Sequence, residues 1–279
     1  LGAHVSGYAL KPDKSGSMYI SANVDQGMDS FYGDILDAEH LEGVLSDCQP
    51  DIVFHLAAQP LVLRGYESPR ETYLTNIIGT VNILESVRRI ESVKGVVNIT
   101  TDKCYKNFGS GQAFSEQDPM GGYDPYSSSK ASAELVSDAY RKSYFAKLNI
   151  GLATARAGNV IGGGDWADFR LVPDVVKAFH RGEKVRIRNP NAIRPWQYVL
   201  EPLSGYLTLG TLLYQGDNVA NSAWNFGPSG ETLFTVKEMV QAISGIWGEK
   251  SGWILEKNII GREDPVLQLD TRKAKRKID

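Results

Sequence analysis

Asp51-Ile52-Val53-Phe54-His55-Leu56 is an apolar run that stops at Ala57-Ala58-Gln59-Pro60, and the segment after it changes period: from Thr75 to Ile90, apolar residues fall at Ile77, Ile78, Val81, Leu84 and Val87. The run reads as a strand buried on both faces, and the spaced segment as the helix that covers it. The unit recurs. Gly95-Val96-Val97-Asn98-Ile99 ends in the polar cluster Thr100-Thr101-Asp102-Lys103; a Gly- and Pro-rich loop follows, and Tyr126 to Tyr144 reads as the next helix. Ile150-Gly151-Leu152-Ala153-Thr154-Ala155 is a third strand, stopping at Arg156-Ala157-Gly158-Asn159. Strands alternating with helices predict an α/β chain whose parallel sheet is covered on both faces. The opening Ala3-His4-Val5-Ser6-Gly7-Tyr8 fits a further strand of that sheet.

Beyond Gly162 the alternation is lost. Gly162-Gly163-Gly164-Asp165-Trp166 is a loop, Leu171 to Gly182 looks helical, and Val185 to Val199 is irregular, with Arg186, Arg188, Arg194 and the aromatics Trp196 and Tyr198. Leu203 to Tyr214 and Val236 to Trp247 read as helices around the short strand Ala223-Trp224-Asn225-Phe226. This part reads as a smaller lobe.

A hydrophobic fraction of 42% and a formal charge of −3 over 279 residues are those of a globular chain without broad electrostatic capture of nucleic acid. The closing basic run Arg272 to Lys277 reads as a solvated helix face. No apolar stretch approaches the roughly 20 residues that span a bilayer. Cys48 and Cys104 stand far apart with no metal-ligand spacing around them, so no metal site is expected, and two cysteines in this length point to a reducing, cytoplasmic compartment.

The local chemistry is densest at Tyr126-Ser127-Ser128-Ser129-Lys130. Positions four apart share a helix face, so Tyr126 and Lys130 can address one site, and a neighbouring ammonium favours the phenolate of a group whose pKa is ordinarily about 10. Thr100-Thr101-Asp102-Lys103 falls where a strand ends, which is where open parallel sheets bind ligands. A threonine hydroxyl beside an acid and a base can hold a substrate hydroxyl and move protons. The same cluster reads equally as a solvated turn with a self-neutralising Asp–Lys pair. His55, inside its strand, reads as a core histidine.

Leu56-Ala57-Ala58-Gln59, Thr101-Asp102-Lys103-Cys104-Tyr105, the Tyr126/Lys130 pair and Arg156-Ala157-Gly158-Asn159-Val160, in that order, resemble the extended short-chain dehydrogenase/reductase family, in particular its members that modify nucleotide-sugars. Gly121 to Tyr126, Gly162 to Trp166 and Ile187 to Gln197 look most like the CDP-glucose 4,6-dehydratase subgroup, and the resemblance runs through nearly the whole chain. Related dTDP-glucose dehydratases carry Asp-Glu where this chain has Asp102-Lys103, and epimerases of the group usually lack such a pair.

The resemblance implies a Rossmann-type doubly wound parallel sheet over residues 1–160 and a smaller substrate-binding lobe over 161–279, with segments returning to the first domain. It also implies that the first strand and its glycine-rich turn fall before Leu1. NAD is the implied cofactor, although Leu10-Lys11 leaves NADP open on residues alone. Thr101, Asp102, Lys103, Tyr126 and Lys130 would form the catalytic set. Asp34, Ile35, Leu56, Ala57, Ala58, Thr75, Tyr126 and Lys130 would contact the dinucleotide. Asn159, Trp166, Arg170, Leu171, Arg188, Asn189 and Arg194 would contact the substrate, Arg194 at its diphosphate. The implied reaction oxidises C4 of the sugar of CDP-glucose, eliminates water across C5 and C6 and reduces C6, in deoxysugar and surface polysaccharide (lipopolysaccharide) synthesis. A neutral Lys103 would take the C5 proton. A homodimer is implied, with Leu135, Val136 and Ala139 in its buried patch. A 4-epimerase, a dehydratase of another nucleotide-sugar and a silent dinucleotide-binding sensor remain alternative readings.

Overall fold

Val96, Val97, Leu152, Ala153 and Ala155 are wholly inaccessible to solvent, as strands covered on both faces require. They belong to a parallel sheet ordered Ala223–Phe226, Gly151–Ala157, Gly95–Ile99, Ile52–His55. The structure, a computed structural model, describes residues 2–12, 17–228, 233–248, 252–257, 261 and 264–278.

Helices close both faces, which makes the sheet doubly wound. On one side Leu41, Leu45, Ile83, Leu84 and Val87, from helices Ala38–Cys48 and Gly79–Val87, pack with Val53, Val96 and Leu152. On the other, Leu209 and Leu213 of helix Leu200–Tyr214 pack with Val97, Ala153, Ala155 and Trp224. Each fully buried leucine here contributes about 1.5–3 kcal/mol. Close approach on this second side depends on two glycines: a Cβ at Gly95 or Gly151 would lie 2.7 or 2.6 Å from Leu213 side-chain atoms.

Two expectations about strands need correcting. Ser6–Ala9 does not extend the central sheet; it pairs in parallel with Asp29–Tyr32 as a separate two-stranded ladder. Ala223–Phe226 is not part of the smaller lobe but the edge strand beside Gly151–Ala157, because Trp224 and Phe226 complete the apolar cluster under helix Leu200–Tyr214. The smaller lobe gathers helices Leu171–His180 and Val236–Trp247 on the parallel pair Val185–Ile187 and Trp253–Leu255, around Val175, Phe179, Val185, Ile187 and Val240. Thr235 and Glu238 start the second of these helices with a reciprocal capping box.

The long helix expected from Tyr126 is α-helical over Pro125–Tyr140, and Arg141–Phe145 widens into a π turn. Asp124 and Pro125 set its start: the Asp124 carboxylate accepts the Ser127 N–H at 2.9 Å, and proline fills the first helical position. Gly122, at φ +154°, lies against this first turn, where a Cβ would overlap the backbone of Ser127 and Ser128. Because backbone cannot swing aside as a side chain can, Gly122→Ala is expected to lower stability by about 1–3 kcal/mol, read as a lower urea midpoint at unchanged m value.

Candidate active site

The strand Gly95–Ile99 runs out at Thr100, and the chain then makes the short 3-10 turn Asp102–Cys104. Thr101 caps that turn by accepting the Lys103 N–H at 3.4 Å, and donates its hydroxyl to Asp102 Oδ1 at 3.0 Å. The helix Pro125–Tyr140 packs against the turn, with Tyr126 and Lys130 both buried on the facing side. The Lys130 ammonium donates to the Ile99 carbonyl at 3.2 Å, so strand end and helix are joined directly.

Thr101, Asp102, Lys103 and Tyr126 line a cavity of about 1040 Å³, and every residue expected at the substrate lines it too: Asn159, Trp166, Arg170, Leu171, Arg188, Asn189 and Arg194. Arg170 is held by Asp165 at 2.9 Å. Arg194, only 6% exposed, donates to the carbonyls of Ile193 and Asp264 at 2.9 and 2.8 Å. Asn159 offers its carbonyl to the Gln197 N–H, which fixes the strand end it sits on.

Of the residues expected at the dinucleotide, only Tyr126 belongs to this lining. Leu56, 54% exposed, and Ala57 form an open surface at the carboxyl end of Ile52–His55, with Ala58 partly covered. Lys130 lies close enough to His55, the last residue of that strand, for its charge to act there, and the exposed Leu56 and Ala57 leave that strand end open to a ligand. Asp34 uses its carboxylate to accept the Leu36 N–H at 2.9 Å, an Asx turn, and Ile35 is a core residue packed on Gly79. Thr75 is partly buried in a π turn spanning Leu74–Ile78.

Burial dominates the electrostatics. It pushes the Tyr126 phenol up to about 12; a hydrogen bond with Thr101 and the charge of Arg170 pull the other way. It drives the Lys130 ammonium down to about 8, against the opposing pull of Glu134. The expected lowering of Tyr126 by Lys130 is therefore corrected: Arg170 and Thr101 supply what lowering there is. Asp102 is only 3% exposed, its Oδ2 has no hydrogen-bond partner among the described residues, and burial raises its pKa from the ordinary carboxylate value despite Lys103, Thr101 and Arg194. A solvated, self-neutralised turn is excluded by that burial. His55 is a core residue: burial takes it down to about 3, and its Nε2 lies 3.1 Å from Thr80 Oγ1. Since the Thr80 hydroxyl donates to the Asn76 carbonyl, His55 Nε2 carries the proton in this contact.

Several contributors escaped the sequence reading. Tyr66, Asp174, Arg186 and Glu256 line the cavity, although nothing in the sequence singled them out for it. Asn76 is the buried hinge of another group: its side chain accepts the Gln59 N–H at 2.8 Å and donates to Ser129 Oγ at 2.8 Å, tying the Leu56–Gln59 loop to the catalytic helix. The adjoining Gln59 was visible in the sequence, but nothing there pointed to a partner at 76.

Fold and site together are those of the dehydratase/epimerase branch of the extended short-chain dehydrogenases. The chain belongs to the family described as GDP-mannose 4,6 dehydratase, whose profile matches residues 13–259. It is 47% identical over 279 aligned residues to the CDP-glucose 4,6-dehydratase of Salmonella typhimurium, an alignment covering 98% of this chain and 78% of that protein. It is 26% identical to the dTDP-glucose 4,6-dehydratase of Xanthomonas campestris pv. campestris, over 83% of this chain and 66% of that one. Its fold matches a UDP-glucuronic acid 4-epimerase from Bacillus cereus at a TM-score of 0.84 and 22% identity, covering 99% of this chain and 84% of the epimerase chain. A dTDP-glucose 4,6-dehydratase double mutant from Streptomyces venezuelae, solved with NAD bound, matches at 0.81 and 21% identity, covering 99% and 81%. Among the described residues no helix is long and apolar enough to cross a membrane, and no cluster of His, Cys, Asp and Glu could hold a metal.

The position of Asp102 has a consequence for stability. A carboxyl whose folded pKa is raised stabilises the fold while protonated, and that stability is lost as pH rises through the folded pKa. Asp102→Asn, which cannot ionise, is therefore expected to be more stable than the unaltered chain at pH 8, with the gain shrinking as pH falls; urea titrations at several pH values measure it.

Proposed function

We propose that this chain is an NAD-dependent 4,6-dehydratase that converts CDP-glucose to CDP-4-keto-6-deoxyglucose. The observation that carries the reading is that the Asp102–Lys103 acid/base pair lines the same cavity as Thr101 and Tyr126. Oxidation at C4 alone needs no second pair, whereas elimination across C5 and C6 needs one group to take a proton and another to give one. The relationship at 47% identity supports the choice of nucleotide. When bound, NAD accepts hydride from C4 and returns it at C6. Tyr126 takes the proton of the C4 hydroxyl, with Thr101 hydrogen-bonded beside it and Arg170 drawing its proton affinity down. The new C4 ketone acidifies C5, and Lys103, as the neutral amine, receives the C5 proton and gives it back to C5 when C6 is reduced. Asp102, whose proton is held more tightly because of its burial, donates it to the departing C6 hydroxyl. Elimination thus uses each member of the pair once.

Residues 1–160 would carry the dinucleotide and 161–279 most of the substrate. Arg194, buried and with its Nη1 anchored on two carbonyls, suits a diphosphate; Asn159 would serve the sugar or phosphate, and Trp166, Arg170, Leu171, Arg188 and Asn189 would frame the nucleotide. A cytoplasmic role in deoxysugar and surface polysaccharide synthesis follows from that chemistry. Of the residues expected in a dimer patch, Leu135 and Ala139 are exposed, whereas Val136 packs on the core; with the exposed Tyr73 and Ile78 on the neighbouring segment, the first two support a twofold homodimer there.

A panel of CDP-, dTDP-, GDP- and UDP-sugars, scored for 4-keto-6-deoxy product, tests the substrate. CDP-glucose is expected to be turned over without net NADH release; turnover of another nucleotide-sugar but never CDP-glucose rejects the nucleotide, and a 4-epimer instead of a keto product rejects dehydration. Lys103→Met separates the half-reactions. It should still form NADH and a 4-keto hexose, while C5 exchange with heavy water and product formation fall about 10² to 10⁴-fold. Unchanged exchange and turnover would remove Lys103 from the mechanism.

A further inference from the structure

Behind the turn that carries Asp102 and Lys103 lies a buried polar network that the chemistry above does not use. Glu134, one turn beyond Lys130 on the catalytic helix, pairs with Arg156 of the strand Gly151–Ala157 at 2.6 Å, with side-chain exposures of 4% and 5%. Glu134 Oε1 accepts the Thr100 hydroxyl at 2.5 Å, and Oε2 accepts the Thr154 hydroxyl at 2.8 Å. Arg156 Nη1 donates to the Tyr105 hydroxyl at 2.8 Å, with its guanidinium 5.0 Å from the centre of that ring. Tyr105 in turn donates to Asn225 Oδ1 at 2.6 Å, and Asn225 is anchored to the Phe114 and Asp270 carbonyls. Thr100 and Tyr105 are the residues on either side of the Thr101–Cys104 turn. Both ends of the turn are thus tied to one ion pair, and the acidic member of that pair belongs to the helix bearing Tyr126 and Lys130.

An ion pair this buried adds little net stability, because desolvation offsets its attraction. What it supplies here is a fixed register between two elements. We propose that the Glu134–Arg156 pair is a positioning clamp for the elimination half-reaction, holding the Asp102–Lys103 turn at a set distance from the helix that carries Tyr126 and Lys130. The inference rests on the dehydration proposed above. Tyr126 and Lys130 travel with Glu134 on one helix, and Lys130 is tied to the Ile99 carbonyl as well, so C4 oxidation survives a slackened clamp. Asp102 and Lys103 ride on the turn between Thr100 and Tyr105, whose hydroxyls hold it to the ion pair, so elimination does not survive it.

The test uses the full chain with NAD and CDP-glucose, following single-turnover NADH formation, C5 exchange with heavy water, and product. Thr100→Val and Tyr105→Phe each cut one link to the turn while leaving the ion pair in place. In both, C4 oxidation should change little while C5 exchange and product fall about 10- to 100-fold, the scale of a misplacement of roughly 1 Å. Thr100→Ser, which keeps the hydroxyl, should restore the partition, and Thr154→Val, which cuts a link that does not reach the turn, should leave it unaltered. Thr100→Val and Tyr105→Phe lowering both half-reactions equally, or lowering only the melting temperature, would overturn the clamp, as would Thr154→Val shifting the partition as they do. Absence of any 4-keto-6-deoxy product from the unaltered chain would instead be a failure of the proposed dehydration, seen before any variant is made.

Discussion

A helix that buries serines, a lysine and a glutamate against a sheet can be held only if each of those groups finds a partner. The helix Pro125–Tyr140 buries Tyr126, Ser127, Ser129, Lys130, Ala131, Ala133, Glu134 and Ser137, with no large aliphatic side chain among them. Its apolar contacts are confined to Ala131, Ala133 and the partly buried Val136 and Tyr140. Instead Lys130 reaches the Ile99 carbonyl, Ser137 receives the Asn98 amide, Ser129 receives that of Asn76, and Glu134 gathers Thr100, Thr154 and Arg156. Because an unpaired buried polar group costs about 1–3 kcal/mol, any other rotation or register of this helix would leave several groups orphaned at once. The site inherits its geometry from that requirement.

The same burial sets the chemistry. Removing water disfavours the charged form of every titratable group, so Tyr126 is raised to about 12, Lys130 lowered to about 8, and Asp102 raised. For an acid that must give its proton to a departing hydroxyl, a raised pKa is useful. For a phenol that must take a proton it is a handicap, opposed by the hydrogen bond with Thr101 and by Arg170. In the proposed reaction, one environment thus prepares the acid and holds back the base, which would place the burden of activating Tyr126 on positive charge arriving beside it.

The sheet was legible in the sequence because its strands are continuous apolar runs ending in polar residues, and a strand sealed on both faces has no other pattern. Thr101, Asp102, Lys103 and Tyr126 were legible for the same reason: they stand where apolar periodicity stops, and they meet in one cavity as expected. What escaped was set by distant pairing. Ala223–Phe226 is as short as a lobe strand and reveals its place only through the partner Gly151–Ala157, some seventy positions earlier. Ser6–Ala9 has the composition of a central strand, yet only its ladder with Asp29–Tyr32 shows that it stands apart. That Ile35 also serves the core and Asp34 a local turn was equally hidden in the sequence. Glu134 left no trace, since a glutamate in a helix is ordinarily a solvated one.

That last case bears on how a buried charge should be weighed. Glu134 and Arg156 gain little from each other after desolvation, and a leucine–methionine pair of similar volume would satisfy the core's packing. Such a pair would offer nothing to Thr100, Thr154 or Tyr105, whose hydroxyls are enclosed by the same sheet and helix. The ion pair is thus explained by the hydroxyls around it. Two of the three lie at the ends of the turn that presents Asp102 and Lys103. A polar core here is the means by which a loop, the least constrained kind of element, is given the precision of the helix beside it.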